Sequence, residues 1–103
     1  MHPKETKETY QHKTELRLKK IRTRITSLEK KAEKTEADIK VRYDQKLSNV
    51  RGQYAQAKEK LDALSASTQE TWFETKTVLD EAIGALEEAV DVMARRISGQ
   101  SED

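Results

Sequence analysis

The chain has 103 residues, of which 34% are hydrophobic and 38% are charged, and it contains no cysteine. This length predicts one domain, residues 1–103, and the polar balance excludes a compact globule with a single thick core. The lack of cysteine excludes disulfides and thiolate metal sites and fits a reducing compartment. We find no apolar run of the kind that a secretory leader or a membrane span needs, so we expect a cytoplasmic protein.

The first predicted element is one long helix from about residue 4 to residue 64. Only Gly52 interrupts good helix formers in this stretch, and the apolar residues recur at steps of three and four, with one stutter between Ile39 and Leu47. Such regular spacing argues against a disordered chain. The apolar seam of this helix consists of Leu18, Ile21, Ile25, Leu28, Ala32, Thr35, Ile39, Tyr43, Leu47, Val50, Tyr54, Ala57, Leu61 and Leu64. A helix of this length would measure roughly 90 Å.

The second predicted element is a shorter helix from about residue 68 to residue 97, followed by a frayed tail at 98–103. The stretch Ser65–Thr68 is the only turn-like segment, and Ser67 and Glu70 have the spacing of a capping box. The seam of this helix is Trp72, Leu79, Ile83, Leu86, Val90, Met93 and Ile97. Additional alanines and valines make its apolar stripe wider than that of the first helix, which predicts more than one neighbour.

The unequal lengths of the two helices predict a homodimer. Folded back, the short helix would leave Leu18, Ile21, Ile25 and Leu28 in water, and burying each of them stabilises by roughly 1.5–3 kcal/mol. We therefore expect an all-α, antiparallel coiled-coil homodimer of helical hairpins, with its two-fold axis near Thr35 and a three-helix bundle at each end. Charge supports this packing, since residues 1–64 carry a net charge of +7 and residues 65–103 carry −6.

A cluster of basic residues is the strongest candidate for a binding site. It consists of Arg17, Lys19, Lys20, Arg22 and Arg24. Binding to nucleic acid or to an acidic membrane is one interpretation. The heptad places Arg17, Arg22 and Arg24 beside the seam, where charges usually pair with a neighbouring helix, and Asp80 and Glu87 are suitable partners. We favour this structural interpretation, because no aromatic platform interleaves the cluster.

The remaining candidates for chemistry are weak. Trp72 is expected in the core beside the hairpin turn, whereas the place of Phe73 is left open. His12 and Glu15 lie one turn apart, but two ligands make a poor metal site. The sequence has no glycine-rich phosphate loop and no framework for a catalytic triad, so we expect no catalytic residue, no cofactor and no enzymatic activity.

Two stretches resemble a known group of proteins. The first comprises Lys34–Lys40, Tyr43–Leu47 and Ala57–Leu61, and the second is the Trp-centred run Glu70–Asp80 with Ala82 and Leu86. Together they are similar to small bacterial coiled-coil proteins labelled stress-response-like or apolipoprotein-like, over roughly residues 30–97. The resemblance implies a stress role or lipid affinity and no catalytic residues.

Two hypotheses for function follow. The first is a non-enzymatic structural or protein-interaction coiled coil that offers charged outer faces to a protein partner and, as the resemblance implies, acts under stress. The second is a peripheral module that binds lipid or nucleic acid through the basic N-terminal half of helix one. We favour the first, because the apolar residues are consumed by internal packing.

Overall fold

A computed structural model describes residues 6–101 of the chain, with side chains described for residues 6–97. It contains three helices: α1 spans Lys7–Glu33, α2 spans Ala37–Ala66 and α3 spans Trp72–Ser101. The described residues form no strand, so the all-α class is confirmed. The helices pack side by side, α2 running opposite to α1 and α3, in a body of 51 × 27 × 16 Å.

The core is a single apolar column along the bundle axis. It is formed by the side chains at the predicted seam positions of all three helices, with Tyr10 added at one end. Leu47, Leu64, Leu79, Ile83 and Leu86 lie among the fully buried residues. Of the predicted seam, Thr35, Ile39 and Tyr54 are only half-buried, and the other members are buried. Burial of this column is the main source of stability that the chain offers.

The prediction of one continuous helix from residue 4 to residue 64 is wrong. The chain leaves the helix at Lys34, and Glu36 is extended, with φ −61° and ψ 151°, before α2 begins at Ala37. No glycine or proline causes this bend. The physical reason is tertiary packing: the bend folds α1 back along α2 and α3, which buries the apolar face of α1 within the same chain.

The bend also removes the length argument for a partner. Leu18, Ile21, Ile25 and Leu28, which were expected to face water in a single chain, are each at most 5% exposed. A second copy is not needed to cover them, because α2 and α3 do so.

The connection between α2 and α3 differs in detail from the predicted capping box. Ser67 donates its hydroxyl to the carbonyl of Leu64, 2.6 Å away, and so closes α2 instead of opening α3. The reciprocal pair is formed one residue later, where the amide of Thr68 donates to the hydroxyl of Thr71 and the amide of Thr71 donates to that of Thr68. The final helix therefore starts at Trp72 instead of residue 68, and it extends beyond residue 97 to Ser101.

Candidate functional site

Two members of the predicted basic cluster are bound to the acidic helix α3. The Arg17 guanidinium donates to the Glu87 carboxylate at 2.7 Å, and that of Arg24 donates to the Asp91 carboxylate at 2.6 Å. The hydrogen bond to Glu87 raises the pKa of Arg17. Because these side chains remain 39–55% exposed, each pair contributes only about 0.2–1 kcal/mol. Their main effect is to set the register of α1 on α3.

The expected partner Asp80 lies instead in a small polar cluster at the start of α1. The Tyr10 hydroxyl donates to the Asp80 carboxylate, which also accepts from Lys76 at 3.3 Å. Burial, together with this hydrogen bond, raises the pKa of Tyr10 above its usual range. The Lys76 ammonium lies 5.1 Å from the centre of the Tyr10 ring, a cation–π distance. These contacts anchor the first turns of α1 against α3.

The other cations of the cluster remain at the surface. Lys19, Lys20 and Arg22 are exposed, and they form no ion pair within the described part of the chain. Lys19 and Arg22 border a groove between α1 and α2, to which α2 contributes Lys58 and the half-buried Tyr54. We call this feature the basic groove; it is lined by Glu15, Leu18, Lys19, Arg22, Tyr54, Lys58 and Leu61.

The basic groove continues onto the outer face of α1. Lys19 and Arg22 also border a shallow depression that includes Lys30 and the side chains of Thr23, Thr26 and Ser27. The hydroxyls of Thr23 and Thr26 donate to backbone carbonyls one turn earlier, so they are already engaged with α1. The surface thus offers cations spaced along one helix face, with an aromatic ring and apolar side chains beside them.

The aromatic pair at the start of α3 divides between core and surface. Trp72 is 3% exposed and lies 6.0 Å from the Tyr10 ring, whereas Phe73 is 59% exposed and stacks on Trp72 at 4.2 Å between ring centres. Trp72 therefore closes the end of the core, which is where it was expected. Phe73 covers it from the solvent side.

Metal binding has no support among the described residues. No group of three or more His, Cys, Asp or Glu side chains is placed to hold a metal ion in this part of the chain. His12 and Glu15 are both exposed, and His2 lies outside the described residues. None of the helices among residues 6–101 is long and apolar enough to cross a membrane.

Three residues that matter for the site were not singled out from the sequence. Tyr10 and Thr14 are buried and continue the seam toward the N-terminus. Tyr10, Thr14 and Leu18 follow one another at steps of four residues, which is the spacing of the seam. Tyr10 and Thr14 were not assigned to the seam because both side chains carry a hydroxyl group. Lys58 was missed because it joins the basic groove only when α2 folds back against α1.

Comparison with known proteins adds no relative. No protein family, curated protein or solved structure matches the chain.

Proposed function

We propose that the chain is a non-enzymatic protein-interaction module whose basic groove binds an acidic surface of another protein. The observation that carries the proposal is the division of charge over the folded chain. Residues 1–64, which supply α1 and α2, have a net charge of +7, and residues 65–103, which supply α3, have −6. Arg17 and Arg24 neutralise part of α3, whereas Lys19, Arg22 and Lys58 around the groove form no ion pair with any residue that the structure describes.

The composition of the basic groove favours a protein over a polyanion. Arginine and tyrosine are enriched in protein interfaces, and Arg22 and the half-buried Tyr54 both line the groove. Nucleic acid binding would require a more extended basic surface, because its affinity comes mainly from neutralised phosphates. The net charge of the whole chain is only +1, and an extended polyanion would meet the acidic helix α3 as well as the groove, whereas a small acidic protein surface can contact the groove alone.

The exposed cations along α1 support a second candidate function, which is binding to lipid or nucleic acid. Lys19, Lys20, Arg22 and Lys30 are all exposed along α1, and their charges are free to contact an anionic lipid surface or a nucleic acid backbone. We rank this function below the first, because these cations are few and, among the described residues, Tyr54 is the one aromatic ring that lines the groove beside them, whereas stacking of successive bases needs several rings.

Titration with defined probes separates the two functions. The probes are a glutamate-rich helical peptide, duplex DNA, and vesicles containing phosphatidylserine. We expect the peptide to bind, and we expect Lys19→Glu, Arg22→Glu and Lys58→Glu together to weaken this binding roughly tenfold or more, as the sum of three exposed pairs. The measurement is a calorimetric or fluorescence titration at two salt concentrations.

The matched control reverses three exposed cations outside the groove: Lys31→Glu, Arg42→Glu and Arg95→Glu. It changes the net charge by the same amount, and its affinity for the peptide is expected to stay within about threefold of the original chain, as screening predicts for distant charges. Equal weakening in both triple variants would contradict a defined site. Strong binding to vesicles or DNA without binding to the peptide would establish the second function instead.

We include in the proposal a cytoplasmic role under stress, supported by the resemblance to stress-response-like coiled coils and by the lack of cysteine. Unchanged abundance of the protein after heat and osmotic shock would count against this role. A homodimer also remains part of the proposal. Because the seam of the closed chain is already buried, a coiled-coil dimer requires α1 to open.

A further inference from the structure

The two connections of the bundle are held very differently. Between α2 and α3, the hydroxyls and amides of Thr68 and Thr71 bind each other, and Lys7 of α1 donates its ammonium to the carbonyl of Ser67 at 2.8 Å. Between α1 and α2, Glu36 occupies the cap position of α2 and forms no side-chain cap hydrogen bond. The α2–α3 connection is thus tied to α1, whereas the hydrogen bonds of the α1–α2 connection come from its own turn, where the amide and hydroxyl of Thr35 donate to the carbonyl of Ala32 at 3.1 and 2.7 Å.

At Lys34 and Glu36, the residues on either side of Thr35, the backbone departs from a helix mainly in one dihedral angle. Lys34 is already in the right-handed helical region, with φ −91° and ψ −2°, and Glu36 has a helical φ of −61°. Its ψ of 151° is the main departure from the helical value of about −42°. No described residue has a positive φ, and neither glycine nor proline lies in this connection, so no residue type enforces the bend.

The apolar seam continues through the connection. Leu28, Ala32, Thr35, Ile39 and Tyr43 follow one another at steps of four, three, four and four. In a straight helix, these steps keep all five side chains on one face. Straightening the connection would therefore place the apolar faces of α1 and α2 on the same side of a single helix from residue 7 to residue 66.

We propose that the chain exchanges α1 with a second copy of itself by straightening the connection at residues 34–36. In this dimer, α1 of each copy lies in the site between α2 and α3 of the other copy. The contacts of α1 are then remade between copies, including the pairs Arg17–Glu87 and Arg24–Asp91. The partner must be a second copy of the same chain, because only that copy offers α1 the contacts that it makes in the closed chain. The exchange is independent of the function proposed for the basic groove.

The proposal also explains the sequence pattern. The antiparallel dimer expected from the seam, with a three-helix bundle at each end, is the exchanged form of the closed bundle. Both forms bury the same apolar residues, so the pattern alone does not choose between them. The long axis distinguishes them, because the closed chain is 51 Å long and a straight helix of 60 residues is about 90 Å long.

A proline variant tests the straightening step. Ala37→Pro places proline at the first position of α2, where it is tolerated, and after a residue that already has the extended conformation that proline imposes. In the straight helix the same proline would interrupt the interior. After refolding at millimolar concentration, we expect the original chain to yield a dimer by light scattering and Ala37→Pro to yield about tenfold less. Equal dimer in both chains would overturn the proposal.

Mixing two charge-reversed chains tests the exchange itself and does not depend on the proline variant. One chain carries Arg17→Glu and Arg24→Glu, and the other carries Glu87→Arg and Asp91→Arg. Within either closed chain the reversed pairs repel, and only an exchanged heterodimer restores attraction at both ends.

After the two chains are refolded together, native mass spectrometry should show the heterodimer roughly tenfold above either homodimer, as expected for several restored pairs. A mixture that contains no heterodimer beyond the statistical amount would overturn the exchange. So would an original chain that stays monomeric at millimolar concentration after refolding. A control mixture reverses exposed residues away from the α1–α3 contact, with Arg42→Glu and Arg95→Glu in one chain and Glu59→Arg and Asp62→Arg in the other. The net charges of the two chains are the same as in the test mixture, so a dimer of closed chains joined at their surfaces would be enriched equally in both mixtures and would overturn the exchange.

Discussion

Replacing Leu86 with aspartate is expected to abolish the cooperative fold of the bundle. Leu86 lies in the middle of α3 and is 0% exposed. Truncating a buried leucine costs about 2–5 kcal/mol, and burying a carboxylate without a partner adds to that cost. The sum approaches the whole stability of a typical small domain, about 5–15 kcal/mol. Circular dichroism should show loss of the sigmoidal thermal transition.

The neighbouring residue provides the matched control for this prediction. Ala85 is exposed on the same helix, so Ala85→Asp introduces the same side chain into water. The expected loss is below about 1 kcal/mol and comes from helix propensity and from nearby acidic residues. A Leu86→Asp variant with the thermal transition of Ala85→Asp would show that the apolar column is wrongly placed.

Truncation of Trp72 to alanine is expected to cause the second largest loss, about 3–5 kcal/mol in the free energy of unfolding. The Trp72 ring is 3% exposed and lies against Tyr10, so its removal opens a cavity where α1 meets the start of α3. The loss of this contact also weakens the hold on the first turns of α1. Urea unfolding at a fixed protein concentration measures the change.

Phe73, the adjacent aromatic residue, is the control that distinguishes the effect of burial from the effect of losing an aromatic ring. Phe73 is 59% exposed, and it shares one stacking contact with Trp72. We expect Phe73→Ala to cost about 0.5–1.5 kcal/mol, the range for an aromatic pair. If Phe73→Ala destabilised the chain as much as Trp72→Ala, the assignment of one ring to the core and the other to the surface would be wrong.

The sequence predicts the helical elements and the core because both depend on local spacing. Steps of three and four residues place the apolar seam residues between Leu18 and Leu28 on one helix face and those between Leu79 and Met93 on another. These seam residues are buried. The sequence also predicts part of the register of α1 on α3. Arg17 and Glu87 occupy positions that flank the seams, and they form an ion pair.

The bend between α1 and α2 could not be predicted from local pattern. Residues 34–36 contain no glycine or proline, and the seam continues through Thr35, so the spacing is equally compatible with a straight helix. The outcome depends on whether the free energy gained by packing α1 on α2 and α3 exceeds the cost of interrupting the helix at the bend. That balance is a property of the whole fold. The basic groove was missed for the same reason, because Lys58 meets Lys19 only after the chain turns back.

Small-angle X-ray scattering on a chromatographically isolated monomer tests the closed bundle most directly. The Cα atoms of the closed chain have a radius of gyration of 16.3 Å and extend over 51 Å, so scattering should give values only slightly larger than these, since side chains and hydration add to both. Light scattering on the same peak must give the mass of one chain, so that the dimer is not measured in its place. A single chain with a longest dimension of about 90 Å would contain the straight helix and would contradict the closed fold.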